Sequence, residues 1–106
     1  MAKFLLLYRG GKMPETEAES AAVIKAWTAW YTDLGSTVVD PGNPFTPAGK
    51  SIASDGKVSD VSPATMASGY TILEAGSLDA AVQMAKSCPV LLGGAEIAVF
   101  ETFNVM

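Results

Sequence analysis

The residues best suited to chemistry are few and widely spaced. Arg9 closes the apolar run Phe4–Tyr8, and a guanidinium there is suited to grip a carboxylate or phosphate. Asp60 lies in a Ser- and Pro-rich stretch, where burial would raise its pKa into general-base range and where an Asx turn is the simpler role. Tyr70 carries a hydroxyl able to reach a pocket. Asp60, Arg9 and Tyr70 are therefore the candidates for acid, base and anion-holding groups. Trp27 and Trp30 sit three residues apart, a helical spacing that makes them core packing or the wall of an apolar pocket with an indole N–H facing a ligand. With Tyr70 they are the ligand-binding candidates, and Tyr31 lies beside their stripe. Glu74 and Glu101 fall near strand ends, where an inward-facing carboxylate needs a partner such as Arg9.

The absent residue type is as informative. The chain has no histidine, which removes the usual general base, proton shuttle and metal ligand. A zinc or iron site would have to be assembled from carboxylates and one thiol, so neither metal nor cofactor is expected. Cys88 stands before Pro89 at the C-terminal end of a helical segment. A helix C-terminus disfavours the thiolate, so the expected cysteine is inert and partly buried. Gly93-Gly94 precede a strand and not a helix, which excludes a phosphate-binding glycine loop.

Composition narrows the classes further. The 106 residues fit one domain spanning 1–106. Apolar residues make up 49% and charged residues 17%, against about 25% charged in an ordinary domain. A second copy covering part of the apolar surface would account for the excess, so a homodimer is expected. The net charge of −4, with seven scattered basic residues, argues against a nucleic-acid partner. One cysteine forms no intrachain disulfide. The opening apolar run is too short for a signal peptide, and no segment approaches a membrane span, so the expected location is cytoplasmic, with no membrane partner.

The elements that must position these residues follow from local signals. Residues 3–9 read as a strand apolar on both faces, with Phe4, Leu6 and Tyr8 on one side and Leu5 and Leu7 on the other. Tyr8 and Arg9 then face opposite ways. Thr16 and Glu19 form a capping-box pattern that opens a helix over 16–34, with Val23, Trp27, Trp30 and Leu34 as its apolar stripe and Gly35 as its stop. Residues 36–40 suggest a strand. Three prolines and two glycines over 41–49 demand a loop. A short strand at 50–54 precedes an Asp55-Gly56 turn, and 57–66 lacks a period and reads as loop. Residues 68–75 predict a strand, and Ser77 caps a second helix that buries Leu78, Ala81, Val82 and Ala85. Residues 95–103 predict a last strand with Ile97, Val99 and Phe103 on one side and Ala98 and Phe100 on the other. The order β-α-β-(β)-β-α-β specifies an α+β, ferredoxin-like split βαβ sandwich on an antiparallel sheet.

Several segments together resemble the YCII-related domain, and its DGPF-type branch most nearly: FLLLYRGG at the start, AW-xx-W at 26–30, GYTILEAGSLDAAVQMA at 69–85 and CPVLLGGAEIAVFE at 88–101. The likeness runs over nearly the whole chain and is weakest between 41 and 66. It implies a dimeric α+β barrel in which two sheets face each other and a family mostly of unassigned activity. Where members often carry Asp-Gly-Pro-Phe followed by acidic residues, this chain has Asp60-Val61-Ser62-Pro63-Ala64-Thr65-Met66. Some relatives have histidine where Cys88 stands, and the His–Asp pair proposed for catalysis in others has no counterpart. The two-sided apolar strands, the Trp27–Trp30 pair and this resemblance together point to a small organic ligand held between the first helix and the sheet, or to an accessory module. The alternative is a cofactor-independent isomerase, lyase or monooxygenase-like enzyme on a small aromatic or lactone substrate.

Overall fold

A computed structural model describes residues 1–12 and 14–105. The main sheet has four strands: β1 (Ala2–Arg9), β2 (Val38–Asp40), β5 (Ala67–Ala75) and β6 (Glu96–Glu101), in the order β2-β5-β1-β6 with every neighbouring pair antiparallel. β1 and β2 are therefore parallel with β5 between them, and β5 and β6 are parallel with β1 between them. Helix α1 (Glu17–Leu34) makes the first crossover and α2 (Leu78–Ala85) the second. This is the ferredoxin-like split βαβ arrangement.

Strand alternation sorts the core. Phe4, Leu6 and Tyr8 of β1 and Thr71, Leu73 and Ala75 of β5 are buried on one face, with Trp30, Ala81 and Ala85 of the helices against them. Both helices thus cover the same face. Full burial of Phe4, Leu6 and Leu73 stabilises the fold by about 1.5–3 kcal/mol per side chain. Helix α1 starts where the capping box placed it: the Glu19 N–H donates to Thr16 Oγ1 at 3.1 Å. The returning bond differs from the standard box, because Glu19 Oε2 accepts the Glu15 N–H and not that of Thr16. Ser77 caps α2 through the Ala80 N–H at 3.1 Å.

Four expectations need correction. Residues 58–60 form a strand, β4 (Val58–Asp60), paired with β3 (Lys50–Ile52) in a separate two-stranded sheet. Every residue of this hairpin's strands is exposed, so no burial period marks it in the sequence. Val23 and Leu78 are exposed, since each lies a turn beyond the point where its helix meets the sheet. β6 ends at Glu101 and leaves Phe103 83% exposed. A 3-10 turn over Gly35–Thr37 delays β2 to residue 38.

The outer face of the main sheet carries Leu5, Leu7, Val39, Ile72, Ala98 and Phe100. In register, Leu5 stands between Ile72 and Phe100, and Leu7 between Tyr70 and Ala98. Charged residues bracket this strip: Lys3 opposite Glu74 at one end and Arg9 opposite Glu96 at the other. Neither helix reaches this face, and Phe100 is 48% exposed on it. Among the described residues, no helix is long and apolar enough to cross a membrane.

Candidate functional site

On the helix side, the polar groups at the Tyr8 end of the core are joined in one chain. The Tyr8 O–H donates to Thr71 Oγ1 at 2.6 Å, and the Thr71 O–H donates to the Pro41 carbonyl at 3.0 Å. The Tyr31 O–H donates to the same carbonyl at 3.1 Å, and the Cys88 S–H points at Tyr8 Oη at 3.6 Å. Burial pushes the pKa values of Tyr8, Tyr31 and Cys88 up, so all three groups are neutral near pH 7. Trp27 packs edge-on against Tyr8 and Trp30, with ring centroids 5.8 and 5.6 Å away. The Trp30 indole N–H is shared between the Met84 carbonyl at 3.2 Å and Ser87 Oγ at 3.1 Å. Among the described residues, every buried side-chain nitrogen or oxygen has a partner. This side is a satisfied core that ties the Pro41 turn to the sheet.

The outer face ends in a different arrangement. Asp40, last in β2, bonds through Oδ1 to the Gly42 N–H at 2.9 Å, and its Oδ2 accepts the Tyr70 O–H at 3.3 Å. The nearby carboxylate raises the Tyr70 pKa, so the phenol keeps its proton and acts as a hydrogen-bond donor. After Gly42 the chain continues along the edge of β5 in the direction of β2. Pro44 bridges to Gly69, the Phe45 N–H donates to the Ser68 carbonyl at 2.8 Å, and the Phe45 ring stacks on Tyr70 with centroids 5.8 Å apart. Beside Phe45 opens a groove of about 470 Å³ lined by Pro44, Phe45, Pro47, Val61, Met66 and Ala67. Ala67 stands opposite Arg9 in the sheet, and Arg9 is exposed on the outer face. A cation, a phenol donor, a carboxylate and an apolar groove are thus brought to one end of the sheet.

The candidates chosen from sequence are divided between these two sides. Trp27 and Trp30 touch each other beneath α1, whereas Tyr70 alternates to the opposite face, so the three do not share one pocket within a protomer. Arg9 and Tyr70 lie on the same face, two positions apart along β1 from the Leu7–Tyr70 rung. Asp60 stands on β4, in a different sheet, where its Oδ1 pairs with Lys50 Nζ at 2.6 Å and both side chains are largely exposed. It makes no Asx turn. Glu74 faces outward opposite Lys3. Sequence reasoning passed over Asp40 and Phe45. The prolines and glycines of 41–49 signalled a loop, and nothing local told that its first residues run along β5 beside Tyr70.

No family model matches the chain, and no curated protein matches it. Among solved structures it is similar in fold to 5-chloro-2-hydroxyhydroquinone dehydrochlorinase from Burkholderia phenoliruptrix AC1100, solved in complex with 2,5-dihydroxybenzoquinone. The TM-score is 0.56 and the identity 19%, and the match covers 95% of this chain and 94% of the other. At that identity the likeness establishes the shared α+β fold.

Proposed function

We propose that the chain is a YCII-related domain of the DGPF type that works as a homodimer. Its two outer faces meet as a dimeric α+β barrel, and it binds a small, planar, hydroxylated or anionic aromatic molecule. The ligand site is the end of the outer face where the Phe45 groove lies next to Tyr70, its partner Asp40, and Arg9 opposite Ala67. The observation that carries this reading is the Phe45–Tyr70–Asp40 arrangement at the edge of an apolar sheet face that neither helix covers. The accessible surface is 7523 Å², against about 5,600 Å² for a compact monomer of this mass. The excess of roughly 1,900 Å² is the scale one protomer gives up in an obligate dimer. The groove volume lies within the usual range for small-molecule sites, and aromatic walls with a few polar groups are the usual lining.

The division of labour follows from the groups. Phe45 supplies a ring to stack on, the Tyr70 phenol turns its O–H from Asp40 Oδ2 to a ligand oxygen, the Asp40 oxygen so freed accepts from a ligand hydroxyl, and Arg9 attracts a negative ring substituent. A second reading is a cofactor-independent enzyme on the same class of molecule, with Asp40 as base and Tyr70 as acid. It is supported by the hydroxylated-ring substrate named for the dehydrochlorinase of similar fold. Titration with 2,5-dihydroxybenzoquinone and with benzoate, followed by calorimetry, tests the site. Tyr70→Phe should weaken binding about 2–10-fold, the effect of one lost hydrogen bond. Asp40→Asn should act in the same direction for ligands bearing a hydroxyl. Equal binding by wild type and both variants, or none by wild type, would sink the assignment.

A further inference from the structure

We infer that the β3–β4 hairpin is an arm that packs on a second copy of this chain, extending the dimer interface proposed above, on which this inference rests. The hairpin pairs with no strand of the main sheet, and all six strand residues are exposed. Its cross-strand pair Ile52–Val58 is apolar, with 72% and 62% of the two residues exposed to water. A lone two-stranded hairpin is marginally stable in water and needs a surface to pack against. The only ion pair among the described residues, Lys50–Asp60, lies at the hairpin's open end and adds little at such exposure.

The shape of the molecule points to the same occupant. The radius of gyration is 15.2 Å, where a compact chain of this length has about 13 Å. The extents of 44 × 40 × 18 Å describe a flat body, with surface to spare for a partner. The roots of the arm, Gly49 and Val61, line the groove that also contains Phe45, so the arm springs from the edge of the uncovered sheet face. A second copy seated on that face meets the arm. Burying Ile52 and Val58 there removes from water two aliphatic side chains that are 72% and 62% exposed in the single chain.

Two measurements test this. In a sample mixing isotope-labelled and unlabelled chains, filtered nuclear Overhauser spectra should show contacts from the Ile52 and Val58 methyls to the other copy. The double variant Ile52→Lys, Val58→Lys, with an unchanged far-UV circular dichroism spectrum, should raise the dimer dissociation constant by roughly tenfold or more. A wild-type dimer with no such intermolecular contacts and an unchanged dissociation constant in the variant overturns the arm and leaves the dimer standing. A wild-type chain that is monomeric overturns both.

Discussion

Replacing Thr71 by Val removes the fully buried hydroxyl that links Tyr8 to the Pro41 carbonyl and keeps the side-chain shape. The Tyr8 O–H then loses its acceptor at 2.6 Å, while the Cys88 S–H at 3.6 Å donates to Tyr8 and offers no replacement. A buried donor left unpaired costs about 1–3 kcal/mol. The Pro41 carbonyl suffers less, because the Tyr31 hydroxyl still donates to it at 3.1 Å, so that half costs about 0.5–1 kcal/mol. The sum of roughly 1.5–4 kcal/mol is a large part of the ~5–15 kcal/mol that holds a domain together, and it lowers the Tm by roughly 7–18 °C. Urea unfolding followed by tryptophan fluorescence at one fixed protein concentration measures it, since association makes the midpoint concentration-dependent. Tyr8→Phe combined with Thr71→Val should cost less than the two single changes added, with a coupling of about 1 kcal/mol. A Thr71→Val cost under about 0.5 kcal/mol, or strict additivity, would refute the network.

Gly42 has φ +72°, and a Cβ there would drive into the Tyr70 carbonyl oxygen. Gly42→Ala should therefore destabilise by more than about 2 kcal/mol and loosen the Phe45–Tyr70 stack in near-UV circular dichroism, and a change within about 0.5 kcal/mol would contradict this. Burial raises the native pKa values of Cys88, Tyr8 and Tyr31 above their ordinary values of 9.0 for the thiol and 10.0 for the phenols. The unfolded chain thus loses these protons first, and stability is fully present below about pH 9, falls as pH rises above it, and falls faster once the phenols ionise. The urea midpoint measured from pH 7 to 11 should follow that curve, Cys88→Ala should remove its earliest part, and a flat profile would count against the buried network.

Local signals served well where one residue does one local job. Thr16 and Ser77 cap their helices, Gly35 ends α1, and alternation in β1 separates Tyr8 from Arg9. Where an element is exposed on all sides, as β4 is, no period exists to read, and the Asp55-Gly56 turn was the sole sign that a second strand must follow. The site was harder, because its parts are joined by the return of one loop. Arg9 and Tyr70 were visible as residue types on strands. Asp40 and Phe45 reach Tyr70 because Gly42 adopts a left-handed conformation close against β5, which keeps residues 43–45 running along the β5 edge. The two tryptophans drew notice by spacing, yet spacing cannot tell a filled interior from a cavity. Here the Trp30 N–H is already occupied by Met84 and Ser87.

The most direct test of the account is the mass of the protein in solution, measured by sedimentation from roughly 1 to 100 µM. The uncovered outer face predicts a particle of twice the 11.0 kDa chain mass, and a shift to the single-chain mass when Leu7→Lys places a charge at the centre of that face. A wild-type protein that sediments as one chain at every concentration would contradict it.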